Sequence, residues 1–277
     1  MLLHCTDYLC YTHSSTQLTH WFSSGLSNSS KNLLFGLSKL LKIKKNEVFR
    51  LKYISAGPLA TPELATEQAF NEIIHFAQIS RNGLGYAKSA ITENNADKFE
   101  ELRGKLVKYE EISDRIEYEI ATFLNAVSVG DISEETSIRI KAMYKIIGEM
   151  ESLGDSGEAI SRILSRRNIH KKTFDAETIK NLINMVEEVD RAYDAMIENL
   201  NAAHKGTLVE ISNAYNAEDR INSLRNLLRD TEIEEIEENK KNYQTSVYYM
   251  DIVNELEKMG DFIINISQDL ERAFIQK

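Results

Sequence analysis

From residue 62 onward the apolar positions recur three and four residues apart in six long runs, and no stretch alternates apolar with polar between turn clusters. This spacing predicts helices near residues 62–92, 95–128, 133–168, 174–204, 207–238 and 241–275. The joints fall at Asn94–Asn95, Val129–Gly130, Asn168–Lys171, Lys205–Gly206 and Glu238–Lys240. In the second run Phe99, Leu102, Leu106, Tyr109, Ile116, Ile120, Phe123 and Val127 keep one face apolar. Capping residues agree with the runs: Thr61 precedes Pro62, Ser133 precedes Glu135 and Thr136, and Asp175 precedes Glu177. Short joints between long helices make neighbours antiparallel. The expected fold is therefore all-α: two tandem antiparallel three-helix bundles, over residues 62–170 and 171–277, behind a short irregular leader.

The leader has a different pattern. Residues 1 to about 30 are rich in His, Thr, Ser and Asn without a period, and read as poorly packed. In LLFGLSKLLKIKK, residues 33–45, five leucines form a stripe beside Lys39, Lys42, Lys44 and Lys45. Such a basic amphipathic helix suits a membrane surface, or docks on its own body. Residues 46–61 read as an extended linker.

Composition sharpens this division. Both prolines, Pro58 and Pro62, come early, and a long proline-free remainder favours helices. Residues 1–61 carry seven Lys/Arg against two Asp/Glu, leaving 26 basic and 41 acidic residues beyond them. An acidic body repels phosphate backbones, which excludes nucleic acid as its partner and favours metal cations or basic proteins. Cys5 and Cys10 are the only cysteines, so the body stands on packing without disulfides, as suits a reducing cytoplasm.

The helical runs also repeat. EMESLGD, with Glu151 and Asp155, returns 106 residues later as ELEKMGD, with Glu257 and Asp261. EEISD, with Glu110 and Asp114, returns 108 residues later as EDRIN, with Glu218 and Asn222. Residues four apart on a helix point the same way, so each motif presents its polar pair on one face. Val253, Glu257, Asp261 and Ile264 fall on one line, so the acids interrupt an apolar seam, where like charges repel and hydrate poorly. A cation relieves both. The expected ligands are Glu110, Asp114, Glu151 and Asp155 in one half and Glu218, Glu257 and Asp261 in the other. Asn222 breaks the acidic pattern, which weakens the second site. Gly154 and Gly260 leave room for a partner helix or an ion to approach closely.

Other constellations are poorer. Glu72-x-x-His75 is half of a di-iron bundle motif and has no second copy, which disfavours a di-iron oxidase. His75 reads better as a satisfied core or surface histidine, and His170 and His204 as helix-end residues. No catalytic triad or phosphate loop assembles, so no enzyme activity is expected.

KYEEISDRIEYEI, IIGEMESLGDSGEAISRIL and DIVNELEKMGDFIINIS resemble the two halves of PhoU proteins, over about residues 62–275. The flanking FRLKYISAGPLATPELATEQAFNEIIHFAQ is similar to the junction where bacterial sodium/phosphate cotransporters run into a cytoplasmic PhoU-like tail. The resemblance implies a pair of three-helix bundles and metal at the seven acids above, with iron, manganese, magnesium or zinc as candidates. It also implies regulation of phosphate uptake through a sodium/phosphate symporter membrane domain, in cis or in trans, at the cytoplasmic face of the membrane. Contact of residues 33–45 with lipid and a homodimer are further expected partners. Ala159 departs from the family pattern, standing where the second repeat keeps Asn265. The competing reading is a metal-free helical adaptor whose carboxylates pair with lysines.

Overall fold

The computed structural model describes residues 51–54, 61–207 and 211–274. The basic helix expected over residues 33–45 lies outside them. Six helices follow one another among the described residues: α1 (Pro62–Thr92), α2 (Ala96–Ser128), α3 (Glu134–Ile169), α4 (Ala176–His204), α5 (Ser212–Glu237) and α6 (Tyr243–Phe274). No strand occurs among the described residues.

Local chemistry sets the helix ends. The side chains of Thr61, Asn95, Ser133 and Asp175 accept the backbone N–H three residues on, which satisfies donors that the first turn leaves open. At the other ends, α3, α4 and α5 close alike. Lys171, Gly206 and Asn239 take positive φ, and the next N–H bonds back five residues: Lys172 to Arg167, Thr207 to Ala202 and Lys240 to Glu235. This closure explains why α5 does not begin at residue 207 as its pattern predicts. The Thr207 N–H finishes α4, and α5 starts beyond it at Ser212, behind Ile211, which offers no side-chain cap.

The helices then pack by threes. Helices α1, α2 and α3 contact one another pairwise, and so do α4, α5 and α6. Ile73, Phe76, Ile116, Ile120, Ile146 and Met150 are fully buried in the first set, and Leu182, Met185, Ile221, Ile252 and Leu256 in the second. Each contributes about 1.5–3 kcal/mol by leaving water. The sets meet through α1 on α4 and α3 on α6, while α2 and α5 touch no helix of the opposite set. Both cross-pairings are antiparallel. Along α1 and α4, Glu67 meets His204 at 2.9 Å, Ser80 meets Tyr193 at 2.7 Å and Lys88 meets Glu187 at 3.1 Å. Along α3 and α6, Lys145 meets Asp269 at 3.4 Å, and His170 bonds Tyr248.

Candidate metal centre

Helices α2 and α3 come into close contact at Gly154. A Cβ added there would lie 2.7 Å from the Ser113 hydroxyl oxygen and 2.8 Å from the Ser113 Cβ. The space that glycine opens on α3 is therefore filled by α2, and not by an ion. Its consequence is the nearness of the carboxylates that flank it. One oxygen each of Glu110, Asp114 and Asp155 lies within 4.8 Å of the others. Glu110 is half-buried, and Asp114 and Asp155 are exposed.

At about 4 Å two unit charges repel by roughly 1 kcal/mol in water and roughly 4 kcal/mol at an effective dielectric constant of 20. Protons or a cation must offset that repulsion. Burial, then Asp114 and Asp155, hold the Glu110 carboxyl above its ordinary range. Burial and Asp114 push Asp155 up, against a smaller opposing pull from Arg162. Glu151, one turn before Asp155, stays outside the converging trio and takes a hydrogen bond from the Ser152 hydroxyl at 3.3 Å. It is raised by burial, then by Asp155 and Asp114. No basic side chain among the described residues forms an ion pair with any of these four acids. Oxygen donors, net negative charge and solvent access fit a hard cation.

The second half is built differently. At the matching crossing of α5 and α6, a Cβ on Gly260 would lie 3.0 Å from Ile221 Cδ1, so the glycine again admits a neighbouring helix. The Asn222 amide donates to Glu218, and Arg225 meets Glu257 at 3.3 Å. Among the described residues Glu218, Glu257 and Asp261 form no converging trio. Burial raises all three, and Arg225 pulls Glu257 and Asp261 back down. A guanidinium already stands against Glu257 and an amide against Glu218, so this set fits a metal less well than the first. Sequence reasoning missed Arg225 and Ser113. The signal lay in extending the 108-residue offset, which pairs Arg225 with Glu117.

The remaining candidates have structural partners. Glu72 is fully buried, accepts the backbone N–H groups of Lys52 at 2.7 Å and Tyr53 at 2.6 Å, and bonds His75 Nδ1 at 3.0 Å. Its oxygens are occupied in holding the segment before α1 to the body, which leaves no di-iron ligand there. His204 stacks on Phe70, and His170 ends α3. Asn265 donates to Glu149 across α3 and α6, at 3.3 Å, and so joins the halves without entering either cluster. No helix among the described residues is long and apolar enough to cross a membrane.

An internally duplicated set of six helices, with carboxylates gathered where two of them cross, defines the class. The chain is similar in structure to the phosphate transport system regulatory protein PhoU from Streptococcus pneumoniae, with a TM-score of 0.62 at 15% identity, over 77% of this chain and 96% of that one. It is similar also to PhoU from Pseudomonas aeruginosa, with a TM-score of 0.66 at 10% identity, over 76% and 97%. The fold is PhoU-like. No family model and no curated protein matches the sequence.

Proposed function

We propose that this chain is a PhoU-like regulator of phosphate transport that acts on a sodium/phosphate symporter and carries a metal on its first half. The observation that supports this most is the extent of the structural likeness, 96% and 97% of two PhoU chains, one of which is itself called a phosphate transport regulator. The FRLKYISAGPLATPELATEQAF junction supports a symporter as the target. Glu110, Asp114 and Asp155 hold the metal, with Glu151 beside them; an all-oxygen set suits magnesium or manganese best, with iron or zinc as the other candidates. The bound ion supplies the positive charge that lets α2 and α3 keep their acids together. The acidic surface of the six helices is then available to basic segments of a transporter.

Uptake of radiolabelled phosphate, compared in cells with and without the chain, tests the regulatory role. Loss of the chain should keep uptake high when phosphate is ample, and unchanged uptake in both conditions would remove the proposal. Metal content of protein purified without chelator tests the site. The Asp114→Asn plus Asp155→Asn variant should lose the metal; equal content in both proteins would refute the assignment. A metal-free adaptor is the second reading, and the Arg225–Glu257 pair favours it, because there a side chain already supplies the cation. Thermal stability unaffected by chelator would support that reading.

A further inference from the structure

We propose that the second half carries its own cation: the Arg225 guanidinium takes, against Glu257 on α6, the place that an external metal ion takes in the first half. Metal then binds to one side of an otherwise duplicated molecule.

The argument starts from equivalent positions. The offsets of 108 residues for α2 to α5 and 106 for α3 to α6 are verified in three dimensions. Gly154 packs on Ser113, and its equivalent Gly260 packs on Ile221, the equivalent of Ser113. Carried along α2, the same offset matches Glu110 with Glu218, Asp114 with Asn222 and Glu117 with Arg225. Along α3 the 106-residue offset matches Glu151 with Glu257 and Asp155 with Asp261. Five carboxylates in the first half thus face three carboxylates, one amide and one guanidinium in the second.

Contacts follow the exchange. Arg225 is 25% exposed at its side chain and lies 3.3 Å from Glu257, which is 18% exposed. Asn222 spends its amide on Glu218, and its own carbonyl oxygen is buried without a partner, as is Nε of Arg225. An amide and a guanidinium cannot give up protons to become anionic ligands. A divalent ion entering here would have to displace a half-buried ion pair and then sit beside a fixed positive charge. In the first half Arg162 also pulls on Asp155, but it is paired with Glu158 at 3.0 Å and forms no ion pair with Glu110, Asp114 or Asp155.

The inference rests on metal binding by Glu110, Asp114 and Asp155, and two measurements on the full chain separate its failure from the failure of that reading. In the first, manganese(II) is titrated calorimetrically into the chelator-treated protein. Wild type should bind at one half only, and Asp114→Asn plus Asp155→Asn should abolish binding. Binding should return, in that background, when Asn222→Asp and Arg225→Glu are added. Residual manganese binding in the Asp114→Asn plus Asp155→Asn protein that disappears with Glu257→Gln plus Asp261→Asn would overturn the inference. In the second, melting is followed at low ionic strength without metal. Arg225→Gln should lower Tm by about 2–4 °C, the shift typical of about 1 kcal/mol in a chain this long, whereas Glu117→Gln should not lower it. An unchanged Tm for Arg225→Gln would sink the compensating role even if wild type bound no manganese at all.

Discussion

At Gly154 a methyl group has no room, because its neighbour is the Cβ of Ser113, fixed to the α2 backbone, at 2.8 Å. At Gly260 the nearest atom is Ile221 Cδ1, the far end of a flexible side chain, at 3.0 Å. The two sites share a sequence signature and differ in how readily the neighbour yields. Alanine gains about 1 kcal/mol of helix propensity at either site, whereas overpacking costs about 1–3 kcal/mol. Gly154→Ala should therefore destabilise the protein by about 1–2 kcal/mol in urea denaturation, and Gly260→Ala should fall near zero. Adding Ser113→Gly should recover part of the Gly154→Ala loss. Equal effects at both glycines would show that helix propensity, and not the crossing of α2 and α3, decides their cost. The recurrence of the glycines was legible in the sequence. Their purpose was not, since Ser113 and Gly154 are far apart in the chain and nothing local says which residue fills the gap.

Most helix ends, the start of α5 excepted, were legible for the opposite reason: they are decided within five residues. Thr61, Ser133 and Asp175 accept the N–H groups their positions predict, so α1, α3 and α4 begin within a residue or two of expectation. The partnering of α1 with α4 and α3 with α6 was not legible, because contacts such as Lys145 with Asp269 join residues whose separation carries no periodic signal. Asp175 combines both scales. It caps α4 through the Thr178 N–H, and it meets Lys241, ahead of α6, at 2.7 Å. Lys241 first, and then the Thr178 N–H, hold the Asp175 carboxyl down to about 2 from an ordinary 3.8. A depressed folded value means that this contribution is complete above pH 3.8 and is lost as pH falls through about 2. The side chain is 54% exposed, so solvent screening limits the ion pair to well under 1 kcal/mol. Asp175→Asn keeps a good cap and removes the charge. Its small deficit against wild type should be constant from pH 7 to 4 and close below that, as read by denaturation at each pH. A deficit that stayed level down to pH 2.5 would place the effect in cap geometry alone.

Across the whole molecule, the two bundles depend on each other. Each contributes two helices, α1 and α3 or α4 and α6, to the shared interface, and only α2 and α5 stand clear of it. Tyr193 is fully buried and bonded to Ser80 of the other half, so separation would expose an aromatic side chain and leave polar partners unpaired. The charges along α1 and α4 are also complementary between halves, not within one. Arg81 reaches Asp190 at 2.8 Å and Asp194 at 2.6 Å, and Lys88 reaches Glu187. Exposed pairs of this kind contribute less than about 1 kcal/mol each, too little to hold the halves together. They are well suited to fixing which surface pairs with which. Two copies of α1 would instead set Arg81 and Lys88 near their own duplicates. Residues 61–170 and 171–277, produced separately, should therefore each melt broadly and associate without a defined stoichiometry, while an equimolar mixture should form a 1:1 complex with a cooperative transition. Asp190→Lys plus Asp194→Lys in the second fragment should weaken that complex. Light scattering with size-exclusion chromatography decides the matter: two stable monomers that ignore each other would mean that each bundle closes its own core, and that the contact between halves adds nothing to folding.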